Sequence, residues 1–345
     1  MHQFLLRISP DRFTLLLIGA VALASVAPPS EAFETPVKIA TDVAIALMFF
    51  LYGARLATAN VVAGIGHWRL HLVVLASTFV MFPLAGIVLG RLPQQVMPAP
   101  LALGMLYLCL LPSTIQSSLA FTSIAGGNVP AAMCSATLSS LAGTVLTPIL
   151  VALLASAHGA APAGAAIREI VVLLVVPLLA GQLLRPWIGG FVARRRALLG
   201  ATDRGSILLV VYSAFGHAVR AGLWRALPPG ALVAMLALEA LVLAAALLGT
   251  HFAAGRLGFN RADKIAIVFC GSKKSLAAGV PMAGVLFPGP DLGMIILPTM
   301  LFHQMQLMVC AVLAKRWSHE TLADARELDE RTAGAVAIAA PPSLK

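Results

Sequence analysis

Cys270-Gly271-Ser272-Lys273-Lys274-Ser275 stands in the middle of an otherwise apolar run, residues 262–287. Its counterpart is Leu111-Pro112-Ser113-Thr114-Ile115-Gln116-Ser117-Ser118, inside the apolar run 101–125. Both runs have the length a helix needs to cross about 30 Å of hydrocarbon. A proline, a glycine, hydroxyls and two cations at mid-depth predict an interruption in each helix. Such a break frees backbone N–H and C=O groups, which must find partners or line a wet cavity. Each run then reaches a short turn, Gly126-Gly127-Asn128 or Pro288-Gly289-Pro290, and one further apolar run follows.

Outward from this pair, apolar blocks fall at 13–27, 36–56, 70–92, 128–155, 167–184, 205–221, 230–252 and 292–314. The fold class is an all-α polytopic membrane protein with about ten transmembrane helices. The chain of 345 residues is 59% hydrophobic and 11% charged, which excludes an ordinary soluble domain. Continuous apolar runs exclude a β-barrel, whose strands alternate. Two sets of five spans, each with one interrupted helix, predict two inverted five-helix repeats, 1–156 and 157–316, followed by a mobile cytoplasmic tail, 317–345.

A net charge of +10 raises the question of nucleic acid, but no basic run is interleaved with aromatics, so none is expected as a partner. The cations follow topology instead. Arg194, Arg195, Arg196, Lys264, Lys315 and Arg316 fall on one side with most of the rest, while the other side holds Lys38, Arg91, Arg168, Arg220 and Arg225. The positive-inside rule then places both termini in the cytoplasm of a multi-pass cell (inner) membrane protein. Residues 1–27 have two readings. They are a first spanning helix, or a secretory signal with Ser25-Val26-Ala27 as its cleavage site. The four cysteines, Cys109, Cys134, Cys270 and Cys310, lack metal-ligand spacing and read as small packing residues.

A lysine at the centre of a span costs about 2.5–3.5 kcal/mol on insertion scales, so Lys273 and Lys274 together require a compensating environment. Neighbouring helical positions point about 100° apart, so the two are not expected to share one partner. At least one is expected to face a cavity. The competing reading makes this segment an interfacial loop of snorkelling side chains. Gly271, Ser272 and Ser275 belong to the same candidate site, as do His303, Gln304 and Gln306 of the last span, which serve equally well as interhelical glue. Glu239 and His217 read as lone ionisable residues in the eighth and seventh spans; a mid-membrane acid is a candidate proton carrier. Lys38 and Asp42, four apart, read as a helix-surface ion pair without function.

These segments carry a resemblance. ATDVAIALMFFLYGARL (40–56), LPSTIQSSLAFTSIAGGNVPAA (111–132), FCGSKKSLAAGVPMAG (269–284) and FHQMQLMVCAVLA (302–314) resemble, in this order, the SBF-like branch of the bile acid:sodium symporter superfamily. The resemblance covers nearly the whole chain. It implies a core and a panel domain, with the fourth and ninth helices broken and crossing in the core. It also implies a symporter working by alternating access, with a small or amphipathic organic anion as substrate. In the better-known relatives two sodium ions sit near the crossing.

Carried over by position, their Ser-Asn pair falls on Ser117 and Ser118 and their third-helix Gln on Thr78. Their fifth-helix hydroxyls fall on Ala132 and Ala136, beside Ser135 and Thr137. The ninth-helix Glu falls near Cys270 and its Gln near Lys274. Sodium is thus the one ion implied, at Ser117, Ser118 and Thr78, and no other cofactor is expected. The acid is missing, however, and a cation stands where a ligand belongs. An ammonium about 4 Å from sodium repels it by roughly 4 kcal/mol at an effective dielectric of 20. A lysine ammonium in place of one bound sodium, as a built-in positive charge that helps hold an anion or exchanges protons with the cavity, is the expectation. A regulatory membrane protein on a transporter fold is the alternative. An enzyme is not expected, because no nucleophile–base pair accompanies the lysines.

Overall fold

The computed structural model describes residues 12–55, 67–92, 96–156 and 171–339, and among them the only regular elements are helices. In chain order these are α1 (Arg12–Val26), α2 (Glu31–Arg55), α3 (Trp68–Leu89), α4 (Ala99–Leu110), α5 (Gln116–Ile124) and α6 (Val129–Ser156). They are followed by α7 (Val176–Arg194), α8 (Arg196–Arg220), α9 (Pro229–Arg256), α10 (Arg261–Gly271), α11 (Leu276–Leu286) and α12 (Leu292–Ala339). The predicted apolar runs coincide with these helices, apart from residues 56 and 167–170, which lie outside the described residues.

Among the described residues, seven helical stretches are long and apolar enough to cross a membrane. By that measure α1 and α4 are shorter apolar pieces, and α8 starts with Arg196, Asp203 and Arg204 before it turns apolar. The expected interruptions are present. α4 ends at Leu110 and α5 begins at Gln116, while α10 ends at Gly271 and α11 begins at Leu276. Pro112 and Ser113 in the first break, and Ser272 to Ser275 in the second, leave the helical path because no i−4 bond is available to the proline and the hydroxyls compete for backbone partners.

Two helices widen before a proline. In α3 the turn Ser77–Met81 is π-helical, and the Phe82 N–H reaches back to the Ser77 carbonyl. Pro83 follows and has no N–H. The Thr78 carbonyl therefore loses both donors that an α or a π turn would offer it. Val171–Val175 before Pro177 repeats the arrangement at the entrance to α7.

The pair α10–α11 is the centre of the bundle: 94% of its apolar window is buried, against 11% for Val171–Val192. Around it Ile45, Met48, Phe49, Val210, Phe215 and Met282 form the largest apolar cluster. On the outside, Leu183, Trp187, Val88 and Phe252 are exposed, as lipid contact requires. α12 does not stop at 314, the end of the last apolar run, but continues to Ala339 through most of the segment expected as a tail, 317–345. No proline interrupts 317–339, and an Arg316–Glu320 pair at 3.3 Å supports the extension one turn on.

Candidate functional site

The two breaks pack directly against each other. Ser275 N–H donates to the Pro112 carbonyl (2.9 Å), and Ser113 Oγ donates to the Cys270 carbonyl (2.6 Å). The other freed groups find side chains from the surrounding helices. Ser139 of α6 accepts the Ser113 N–H (3.0 Å), Thr147 of α6 donates to the Leu110 carbonyl (2.8 Å) and Ser77 of α3 donates to the Gly271 carbonyl (2.7 Å). Ser118 donates to the Phe269 carbonyl (2.9 Å), and Tyr107 to the Gly279 carbonyl (2.6 Å). Ser275 caps α11 by accepting from the Ala278 N–H (3.2 Å), while Ser272 donates back to the Val268 carbonyl (2.6 Å).

Lys274 is 1% exposed, and its ammonium is held by three carbonyls: Leu111 (2.7 Å), Cys109 (2.9 Å) and Thr78 (3.0 Å). Each acceptor has a local cause. The last carbonyls of α4 have no intrahelical donor and form the negative end of the helix dipole. The Thr78 carbonyl is the one stranded by the wide turn and Pro83. The Phe82 ring covers the ammonium at 4.0 Å from its centroid.

Lys273 is 0% exposed and is held differently. It donates to the Ser117 carbonyl (2.9 Å) and lies over Phe121 (4.0 Å) and beside Phe269 (5.2 Å). The interfacial-loop reading is thus overturned, and the two lysines do have separate partners. Among the described residues neither ammonium forms an ion pair.

Gln306 presents a side-chain amide to the backbone of Lys274, accepting from its N–H and donating to its carbonyl, both at 2.8 Å. The same amide nitrogen meets His303 Nδ1 at 2.9 Å. Gln306→Leu leaves two buried backbone groups unpaired and is expected to cost about 2–6 kcal/mol, at 1–3 kcal/mol per group. Chemical denaturation in detergent measures it, with Gln306→Glu, which keeps one of the two bonds, falling between.

Of the candidate residues, Thr78, Ser113, Ser117, Ser118, Cys270, Gly271, Ser272, Lys273, Lys274, Ser275, His303 and Gln306 are brought together around the breaks. Gln304 faces away and accepts from Thr14 of α1 (2.8 Å). Gln116 is exposed, and Thr114 and Thr137 are half-buried. Ser135 pairs with His71 at 2.6 Å, a buried histidine the sequence did not single out. Also unanticipated were Ser77, Tyr107, Ser139 and Thr147; hydroxyls facing the breaks from α3, α4 and α6 were the available signal.

His217 is not alone: its Nε2 meets Glu34 Oε1 at 2.7 Å. The Lys38–Asp42 pair forms at 2.9 Å. Ala132, Ala136 and Cys270, onto or near which the resemblance carried ligand positions, meet in one buried apolar cluster with Leu70, Val74 and Ile267.

Comparison with known proteins agrees with the resemblance. The model of the SBF-like CPA transporter family matches residues 11–319. An uncharacterized protein of Pseudomonas aeruginosa is 52% identical over 98% of both chains. The Escherichia coli protein named "Putative symporter YfeH" is 49% identical over 90% of this chain and 94% of its own. Sodium/bile acid cotransporter 7 of Xenopus tropicalis is 28% identical over 90% and 93%. A helical membrane protein with this match along most of its length belongs to the SBF-like CPA transporter family, of bile acid:sodium symporter type.

Proposed function

We propose that the protein is a secondary active transporter of the inner membrane. In this reading it moves a small or amphipathic organic anion by alternating access, with two inverted five-helix units and both termini in the cytoplasm. One observation carries the reading: two helix breaks meet back to back at the most buried point of the bundle and enclose two lysines with no carboxylate beside them. A packing role gives no reason to bury two cations at a cost of several kcal/mol. An anion entering between the breaks would supply the missing negative charge.

The site does not suit sodium. The carbonyls of Thr78, Cys109 and Leu111, which a small cation would need, are taken by the Lys274 ammonium. Ala132, Ala136 and Cys270 offer no hard oxygen side chain. In this reading Lys274 is the built-in replacement for a bound cation, and Lys273, which has only one carbonyl, is the charge available to substrate.

The expected result is anion uptake by protein reconstituted in vesicles when all sodium is replaced by choline. Lys273→Met is expected to reduce uptake at least tenfold, the loss of about 1.4 kcal/mol of substrate attraction. A strict sodium requirement that survives both Lys273→Met and Lys274→Met would sink the proposal.

A further inference from the structure

Glu239 lies in the middle of α9, and its side chain is 0% exposed. Among the described residues neither carboxyl oxygen has a hydrogen-bond partner. Met235, Val242 and Leu243 of the same helix are buried beside it in an apolar cluster with Phe82, Cys109 and Phe302. A methionine or leucine would fill such a place without a buried acid, so packing does not account for this residue. An ionised carboxylate without a donor is costly in this setting.

From α4 comes Cys109, whose thiol lies within electrostatic reach of both the Glu239 carboxyl and the Lys274 ammonium. Lys274 itself comes from the break between α10 and α11, and the Phe82 ring on which it rests belongs to the apolar cluster around Glu239. α3 has no titratable side chain between Ser77 and Leu89. α12 brings His303, bonded to Gln306. On α10, Asp263 and Lys264 sit in the first turn, and Lys264 lies beside Gly255 near the far end of α9.

We propose that Glu239 is a proton-binding site of the transport cycle, protonated in the closed arrangement seen here and exchanging that proton with water when the region around Cys109 opens. On release the O–H bond breaks, its electron pair stays on the carboxylate, and the proton passes to water. The carboxylate so formed is solvated by the water that takes the proton. Uptake on the other side of the membrane reverses the step. The inference rests on the transporter reading and adds that the coupling ion is a proton.

Two measurements test it. The first is infrared difference spectroscopy of the wild type against Glu239→Gln in lipid bilayers without any transported anion. A protonated carboxylic acid band is expected in the wild type at neutral pH, absent from the variant and lost reversibly as pH rises. A wild-type spectrum without that band overturns the inference, as does a band that never titrates.

The second uses sodium-free vesicles with the membrane potential clamped and taurocholate, a permanently ionised bile salt, as probe. One-to-one proton coupling gives about tenfold accumulation per pH unit of gradient, and Glu239→Gln is expected to equilibrate the probe without accumulating it. Gradient-driven accumulation that persists in Glu239→Gln also overturns the proposal. Absence of taurocholate movement under every gradient counts against the transporter reading for this anion, while the infrared result still decides the state of Glu239.

Discussion

Lys274→Met is expected to lower the unfolding free energy by about 3–5 kcal/mol, the range found when one partner of a buried charged arrangement is removed. The methionine fills the space of the lysine stem but leaves the carbonyls of Thr78, Cys109 and Leu111 without a donor. Each unpaired buried carbonyl costs about 1–3 kcal/mol, partly recovered by relaxation of the break. Lys273→Met removes a single carbonyl bond and a contact with two aromatic faces. It is expected to cost about 1–2 kcal/mol. Unfolding midpoints in mild detergent under increasing denaturant test the order. A Lys273→Met variant less stable than Lys274→Met would show that the carbonyl cage is not what holds the two breaks together.

A second large loss is expected at the contact of α2 with α7. Gly53 of α2 lies on the backbone of Leu178 and Gln182, and Gly181 of α7 lies on the backbone of Phe50 and Ala54. A Cβ at either position collides with a carbonyl oxygen of the opposite helix, which cannot rotate away as a side chain can. Small residues permit this approach, and dispersion at close range is a main source of helix association in lipid. Gly181→Val is expected to push the helices apart and destabilise the protein by about 3 kcal/mol, the upper end of the usual range for overpacking. Gly190→Ala on the same helix meets nothing within 4 Å. It is expected to be neutral or stabilising by up to about 1 kcal/mol, the helix propensity difference. Thermal melts of the two variants side by side distinguish a contact effect from a general intolerance of α7 to substitution.

The sequence made the breaks visible because two adjacent lysines and a proline-hydroxyl cluster are costly in hydrocarbon wherever the chain folds. Apolar run length made the helices visible for the same reason. What holds the lysines was not visible, because the acceptors are main-chain carbonyls brought together from α3, α4 and α5 by tertiary packing. Only one of them left a trace: Thr78 stands five residues before Pro83, so its lost donor could be read from spacing. The choice among His303, Gln304 and Gln306 was equally closed to inspection. Residues three apart share a helix face, whereas a residue one or two positions away faces elsewhere. Accordingly His303 and Gln306 meet, while Gln304 reaches α1. His217 looked isolated because its partner, Glu34, is far away in the chain.

The wide turn at Ser77–Met81 also bears on descent. Such a turn contains one residue more than the α-helical turn it replaces, so it is equivalent to an insertion absorbed without severing α3. Beyond it every side chain is advanced by about 100° relative to the pattern established between Trp68 and Ala76. A relative that lacks the extra residue would align here only with a gap, and its carbonyl at the position of Thr78 would be sealed inside the helix. Whether a homologue keeps that one residue is thus a simple genetic marker of whether it can retain the Lys274 cage.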